Sequence, residues 1–201
     1  MKGNIYTICF AAILGTFCAT LLTGAAEFTE AARESNKLAE KNRNIFKALN
    51  IEYDEGASAE KLLEIYENNI VTEEKDGVTF YKNVEGDIVK GVAVVFEGPG
   101  LWGPIKGILA LEEDMRTIKG ITFYEQEETP GIGADIAMPY FRERFVGKKI
   151  VDAQGDPGIV IKAGINDPGQ NEIDGISGAT MTVNKVSDML NAKIEQIVSA
   201  K

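Results

Sequence analysis

The chain opens on a long uncharged run. From Gly3 to Ala26 no residue carries a charge, and Ile5, Ile8, Phe10, Ile13, Leu14, Phe17, Leu21 and Leu22 supply apolar bulk. At about 1.5 Å per residue, this predicts a helix able to cross a hydrocarbon core of about 30 Å. Lys2 stands before the run, while Glu27 and Glu30 follow it. Because positive charge stays on the cytoplasmic side, the remainder of the chain is expected to face outward. A cleaved signal peptide is the alternative, with Gly24, Ala25 and Ala26 as its processing site. The run exceeds a usual signal core and stays apolar where a cleavage region turns polar, which favours a retained anchor over residues 1–26.

Beyond the anchor the pattern becomes helical with interleaved charge. Phe28, Ala31, Leu38, Ile45, Phe46 and Leu49 recur near helical spacing and predict a stalk helix over residues 27–50. A second helix follows, with Ser58 as its N-cap and Leu62, Leu63, Ile65 and Tyr66 as its apolar content. The period then shortens. Val78, Phe80 and Ile88–Phe96 are β-branched or aromatic, with a turn at Glu85-Gly86-Asp87. Gly98-Pro99-Gly100 reads as a break, and Ile105–Leu111 with Ile118–Tyr124 as a hairpin. Tyr140–Phe145 predicts a short helix, Ile159–Lys162 a strand and residues 163–176 a loop. Val183, Val186, Met189, Leu190, Ile194 and Ile197 predict a final helix. The expected fold class is α+β: an N-terminal transmembrane helix and stalk, then a domain of mainly antiparallel strands with flanking helices. The expected divisions are an anchor over 1–26, stalk and packing helices over 27–70, and the domain over 71–201.

Composition narrows the chemistry. Among 201 residues, 21 Lys and Arg face 31 Asp and Glu, a formal net charge of −10, so a nucleic-acid partner is not expected. There is no histidine, which excludes a Ser-His-Asp triad and a His-ligated zinc site. Both cysteines, Cys9 and Cys18, lie in the apolar run. No metal site is expected. Redox chemistry in the remainder would need a borrowed cofactor.

One segment could hold one. Asp174-Gly175-Ile176-Ser177-Gly178-Ala179-Thr180-Met181-Thr182 leads from a polar loop into the final helix. Ser177 is expected to cap that helix, placing Thr180 in its first turn. Free amides and the positive end of the helix dipole favour a phosphate there, and Gly178 allows close backbone approach. By local physics alone, an ordinary helix start is the favoured reading, because helix caps are far commoner than ligand sites.

This segment resembles the flavinylation motif of the FMN-binding domain family, in which a flavin transferase links FMN to the last Thr of Ser-Gly-Ala-Thr. Two further elements occur in the family's order: Gly100-Leu101-Trp102-Gly103-Pro104, and Glu128-Thr129-Pro130-Gly131-Ile132-Gly133. Together they are most similar to the C-subunit family of sodium-translocating NADH:quinone oxidoreductases. The related G subunit of Rnf complexes, or a standalone exported FMN shuttle, is the alternative. Ala134 departs from the pattern, which has another glycine there.

The resemblance implies covalent FMN, phosphoester-linked to Thr180. It implies cofactor contacts at Asp174, Ser177, Gly178, Ala179 and Thr182, and at Leu101, Trp102, Glu128 and Thr129. It implies no catalytic residue of the chain's own. It also implies electron relay among other subunits of the reductase, at the periplasmic face of the inner membrane. Trp102 fits either a flavin cover or a core position, and Glu125, Glu127 and Glu128 read as a solvated strand end. A flavin-free anchored module is the reading of a different class.

Overall fold

The structure is a computed structural model that describes residues 2–200, with side-chain surroundings from residue 5 onward. Lys2, on which the orientation argument rests, has no described side chain. One helix, α1 (Lys2–Leu49), joins the predicted anchor and stalk without interruption. The chain forms two compact units, residues 1–39 and 40–201. In the first unit, every residue from 5 to 38 is exposed. Its apolar window reaches a mean hydropathy of 2.1, so it is long and apolar enough to cross a membrane.

The second unit is built on a five-stranded antiparallel sheet whose strands follow sequence order. They are β1 (Ile70–Lys75), β2 (Val78–Glu85), β3 (Ile88–Pro99), β4 (Pro104–Leu111) and β5 (Ile118–Glu125). Asp76 and Gly77, both at positive φ, form the tight turn between β1 and β2. The β3–β4 ladder continues through Gly98↔Ile105 and Pro99↔Pro104, so of the expected break at Gly98-Pro99-Gly100 only Gly100 lies outside the strand. Pro99 is tolerated because it ends the ladder, where a missing N–H costs least.

Both faces of the sheet are covered, which is why β3 and β4 read as continuous apolar runs rather than alternating ones. On one face lies the last part of α1. Gly120 approaches it so closely that a Cβ would stand 2.4 Å from the Ala48 carbonyl oxygen. On the other face lies α4 (Thr180–Ser199), which buries Val183, Val186, Leu190, Ile194 and Ile197. Gly98 admits it: a Cβ there would come within 3.0 Å of Met189 Cβ. The core between sheet and α4 includes Val94, Phe96, Leu109, Phe123 and Leu190.

The remaining elements close the ends. Helix α2 (Ala59–Asn69) starts at the predicted cap, where Ser58 Oγ accepts from the Lys61 amide at 3.3 Å. After β5 come a 3-10 turn (Gly133–Ala137), the short α3 (Pro139–Arg142) and another 3-10 turn (Glu143–Phe145). Strand β6 (Val160–Lys162) pairs in parallel with β7 (Glu172–Asp174). β7 lies inside the stretch expected to be loop. It has only three residues, of which Ile173 alone is buried, too little pattern to register against its Gly, Asn, Asp and Pro neighbours.

Candidate functional site

The fold brings three separated loops to one place: the β3–β4 turn, the segment after β5, and the start of α4. At their centre is Glu128. Expected among solvated carboxylates, it is instead 4% exposed. Its Oε1 accepts from the Leu101 amide at 2.7 Å and, at longer range, from the Trp102 amide at 3.4 Å. Its Oε2 accepts from the Thr182 hydroxyl at 2.5 Å. The Gly100 amide donates to the Gly103 carbonyl at 2.8 Å and closes the turn. Glycine is required on both sides of this carboxylate. A Cβ on Gly100 would lie 2.5 Å from Glu128 Oε1, and one on Gly133 would lie 2.6 Å from Thr182 Oγ1 and 2.9 Å from Glu128 Oε2.

The start of α4 differs from its predicted form in one respect. Ser177 does not cap it. Ala179 occupies the cap position, with φ −108° and ψ 27°, and no side chain bonds the first amides. Ser177 is exposed, and Gly178 turns the chain at φ +83°. Thr180 is therefore the first helical residue. It is exposed, at an N-terminus whose leading N–H groups have no intrahelical partner.

A cavity of about 180 Å³ lies between the loops. Its wall includes the predicted residues Leu101, Glu128, Thr129, Gly178, Ala179, Thr180 and Thr182. It also includes Ile132, Gly133 and Met181. All three stand inside the motifs already singled out, and adjacency to a motif residue was the available signal. Three predicted residues, Asp174, Ser177 and Trp102, are not on this wall. Asp174 braces the loop before the helix: its carboxylate accepts from the Gly164 amide at 2.8 Å and pairs with Arg144 at 3.2 Å. Arg144 also donates to the carbonyls of Asp174 and Gly175, at 2.8 and 2.7 Å. Trp102 is not core, being 73% exposed. It lines a wider groove of about 730 Å³ on the β3–β4 turn, which shares Leu101 with the smaller cavity. Ala134 needs no glycine's freedom, since the left-handed position of this loop is Gly131, at φ +75°.

Comparison with known proteins gives these features a class. Residues 100–195 match the model of the FMN-binding domain family, the interval that contains all three loops. That interval is similar to FMN-binding domains, and an apolar helix precedes it in sequence.

Within that class its similarity is to the C subunit of the Na(+)-translocating NADH-quinone reductase. It is 42% identical over 102 residues to the C subunit from Vibrio campbellii, covering 50% of this chain and 39% of the relative. The Vibrio parahaemolyticus relative is 37% identical over 162 residues, 80% of this chain and 59% of that protein. The chain spans about half the length of the curated relatives it matches. A crystal structure of the C subunit from Parabacteroides distasonis superposes with a TM-score of 0.72 at 26% identity, covering 84% of this chain and 94% of that one.

Proposed function

We propose that this chain carries FMN through a phosphoester to Thr180 Oγ1 and relays single electrons between redox centres of partner subunits. Its setting is a membrane NADH:quinone reductase that couples quinone reduction to sodium export. The observation that carries this reading is the position of Thr180. This exposed residue stands at an uncapped helix start, on the wall of a cavity formed by all three family motifs.

The residues present suit FMN. Free amides at the start of α4 and the helix dipole favour the phosphate. The cavity is smaller than the roughly 300–1,000 Å³ of sites that enclose a small molecule. A flavin held there would lie partly outside it, beside Trp102 and the open groove. Partial exposure suits a carrier that must hand electrons to a partner, and a covalent tether removes the need for enclosure. When bound, the flavin supplies the electron chemistry, while the chain supplies position and electrostatics.

Linkage forms a bond from Thr180 Oγ1 to phosphorus and breaks the phosphoanhydride of an activated flavin nucleotide. The hydroxyl proton leaves, and the departing half carries away the charge. A threonine hydroxyl is a weak nucleophile without a base, and this chain has no histidine. A separate flavin transferase therefore supplies the base and the donor. The N-terminal helix tethers the carrier at the outer face of the inner membrane.

The test is intact mass after co-expression with a flavin transferase. The chain should gain one FMN less one water, mapped to the Thr180 peptide, and Thr180→Ala should gain nothing. Unchanged wild-type mass, or full attachment in the variant, would withdraw the reading.

A further inference from the structure

Among the described residues, Glu128 is the only ionisable one on the wall of the cavity that holds Thr180. The carboxylate is buried, and no Lys or Arg pairs with it among the described residues. Its partners are the Leu101 and Trp102 amides and the Thr182 hydroxyl. Each of these donates, and all three bonds end on the carboxylate oxygens. These neutral dipoles hold the charge in place without cancelling it.

A buried negative charge that no cation among the described residues neutralises acts over a longer range than one in water. Adding an electron to a group in that field is disfavoured. We propose that Glu128 tunes the cofactor electrostatically, holding the reduction potential of a flavin on Thr180 below the value it would have without this carboxylate. This deepens the FMN-carrier reading and rests on it. Glu128 also fixes the 100–102 turn through its amide bonds, so it is a positioning residue as well, and the test must separate the two roles.

The test is spectroelectrochemical titration of the full chain, flavinylated and in detergent, with covalent flavin first verified by mass. Glu128→Gln keeps an oxygen for the Leu101 amide and removes the charge. Its midpoint should move positive, by an amount equivalent to about a tenfold change in the reduced-to-oxidised ratio at fixed potential, ~59 mV for a one-electron step. Thr182→Val keeps the charge and removes one donor that spreads it, so its midpoint should move negative. A purely structural role predicts no such opposition of sign. Unchanged or negatively shifted midpoints in Glu128→Gln, with flavin attached and melting temperature near wild type, would overturn the proposal. If Glu128→Gln does not fold, Thr182→Val decides alone, and an unchanged or positive midpoint rejects the tuning role. Absence of covalent flavin in the wild type would instead reject the carrier reading.

Discussion

At the scale of single residues, the site depends on backbone room as much as on side-chain chemistry. Gly133→Ala would force a Cβ to 2.6 Å from Thr182 Oγ1. Overpacking of this kind is expected to destabilise by about 1–3 kcal/mol, read by urea unfolding. Tyr124 offers a pH handle away from the site. Burial first, then the charges of Glu125 and Glu97, raise its phenol from 10.0 to about 12. The folded chain thus keeps that proton more tightly than the unfolded chain does. The associated stability is fully present below pH 10 and is lost as pH rises through about 12. Tyr124→Phe should flatten the stability profile over that interval. Thr180, Gly178 and Thr182 were legible in the sequence because their motif is contiguous. The burial of Glu128 was not, because it arises from loops 54 residues apart in sequence, joined at Thr182. Asp174 was legible as part of the motif but not as the partner of Arg144, which no local pattern connects to it.

At the scale of elements, α4 both closes the core and presents Thr180. Leu190 is fully buried on its inner face. Leu190→Ala is expected to lose about 2–5 kcal/mol, measured by thermal or urea unfolding. Strands β3, β4 and β5 and helix α4 were readable because burial leaves long apolar stretches. β1 was not read as a strand. Its sequence, Ile-Val-Thr-Glu-Glu-Lys, buries only Ile70, and its charges are those of a protected sheet edge. The start of α4 was placed correctly for a partly wrong reason. A serine two residues before the cap suggested capping, yet the chain turns at Gly178 and enters the helix through Ala179.

At the scale of the molecule, a −10 chain carries a helix long and apolar enough to span a bilayer. Net acidity disfavours surface attachment to anionic lipid. Membrane association of the full chain should therefore survive a high-salt wash and yield only to detergent, followed by fractionation and immunoblotting. Release by salt alone would remove the membrane span. The glycines beside Glu128 also have a consequence for how sequences of this kind can diverge. Gly100 is confined by the Glu128 carboxylate and the Gly103 carbonyl, and Gly133 by the Thr182 hydroxyl and the Glu128 side chain. Shortening the side chain at 128 would still leave a Cβ at 100 against the Gly103 carbonyl oxygen, 2.7 Å away, and one at 133 against Thr182 Oγ1, 2.6 Å away, so both glycines should persist where 128 drifts. In an alignment deep enough to measure it, glycine at 100 should outlast glutamate at 128.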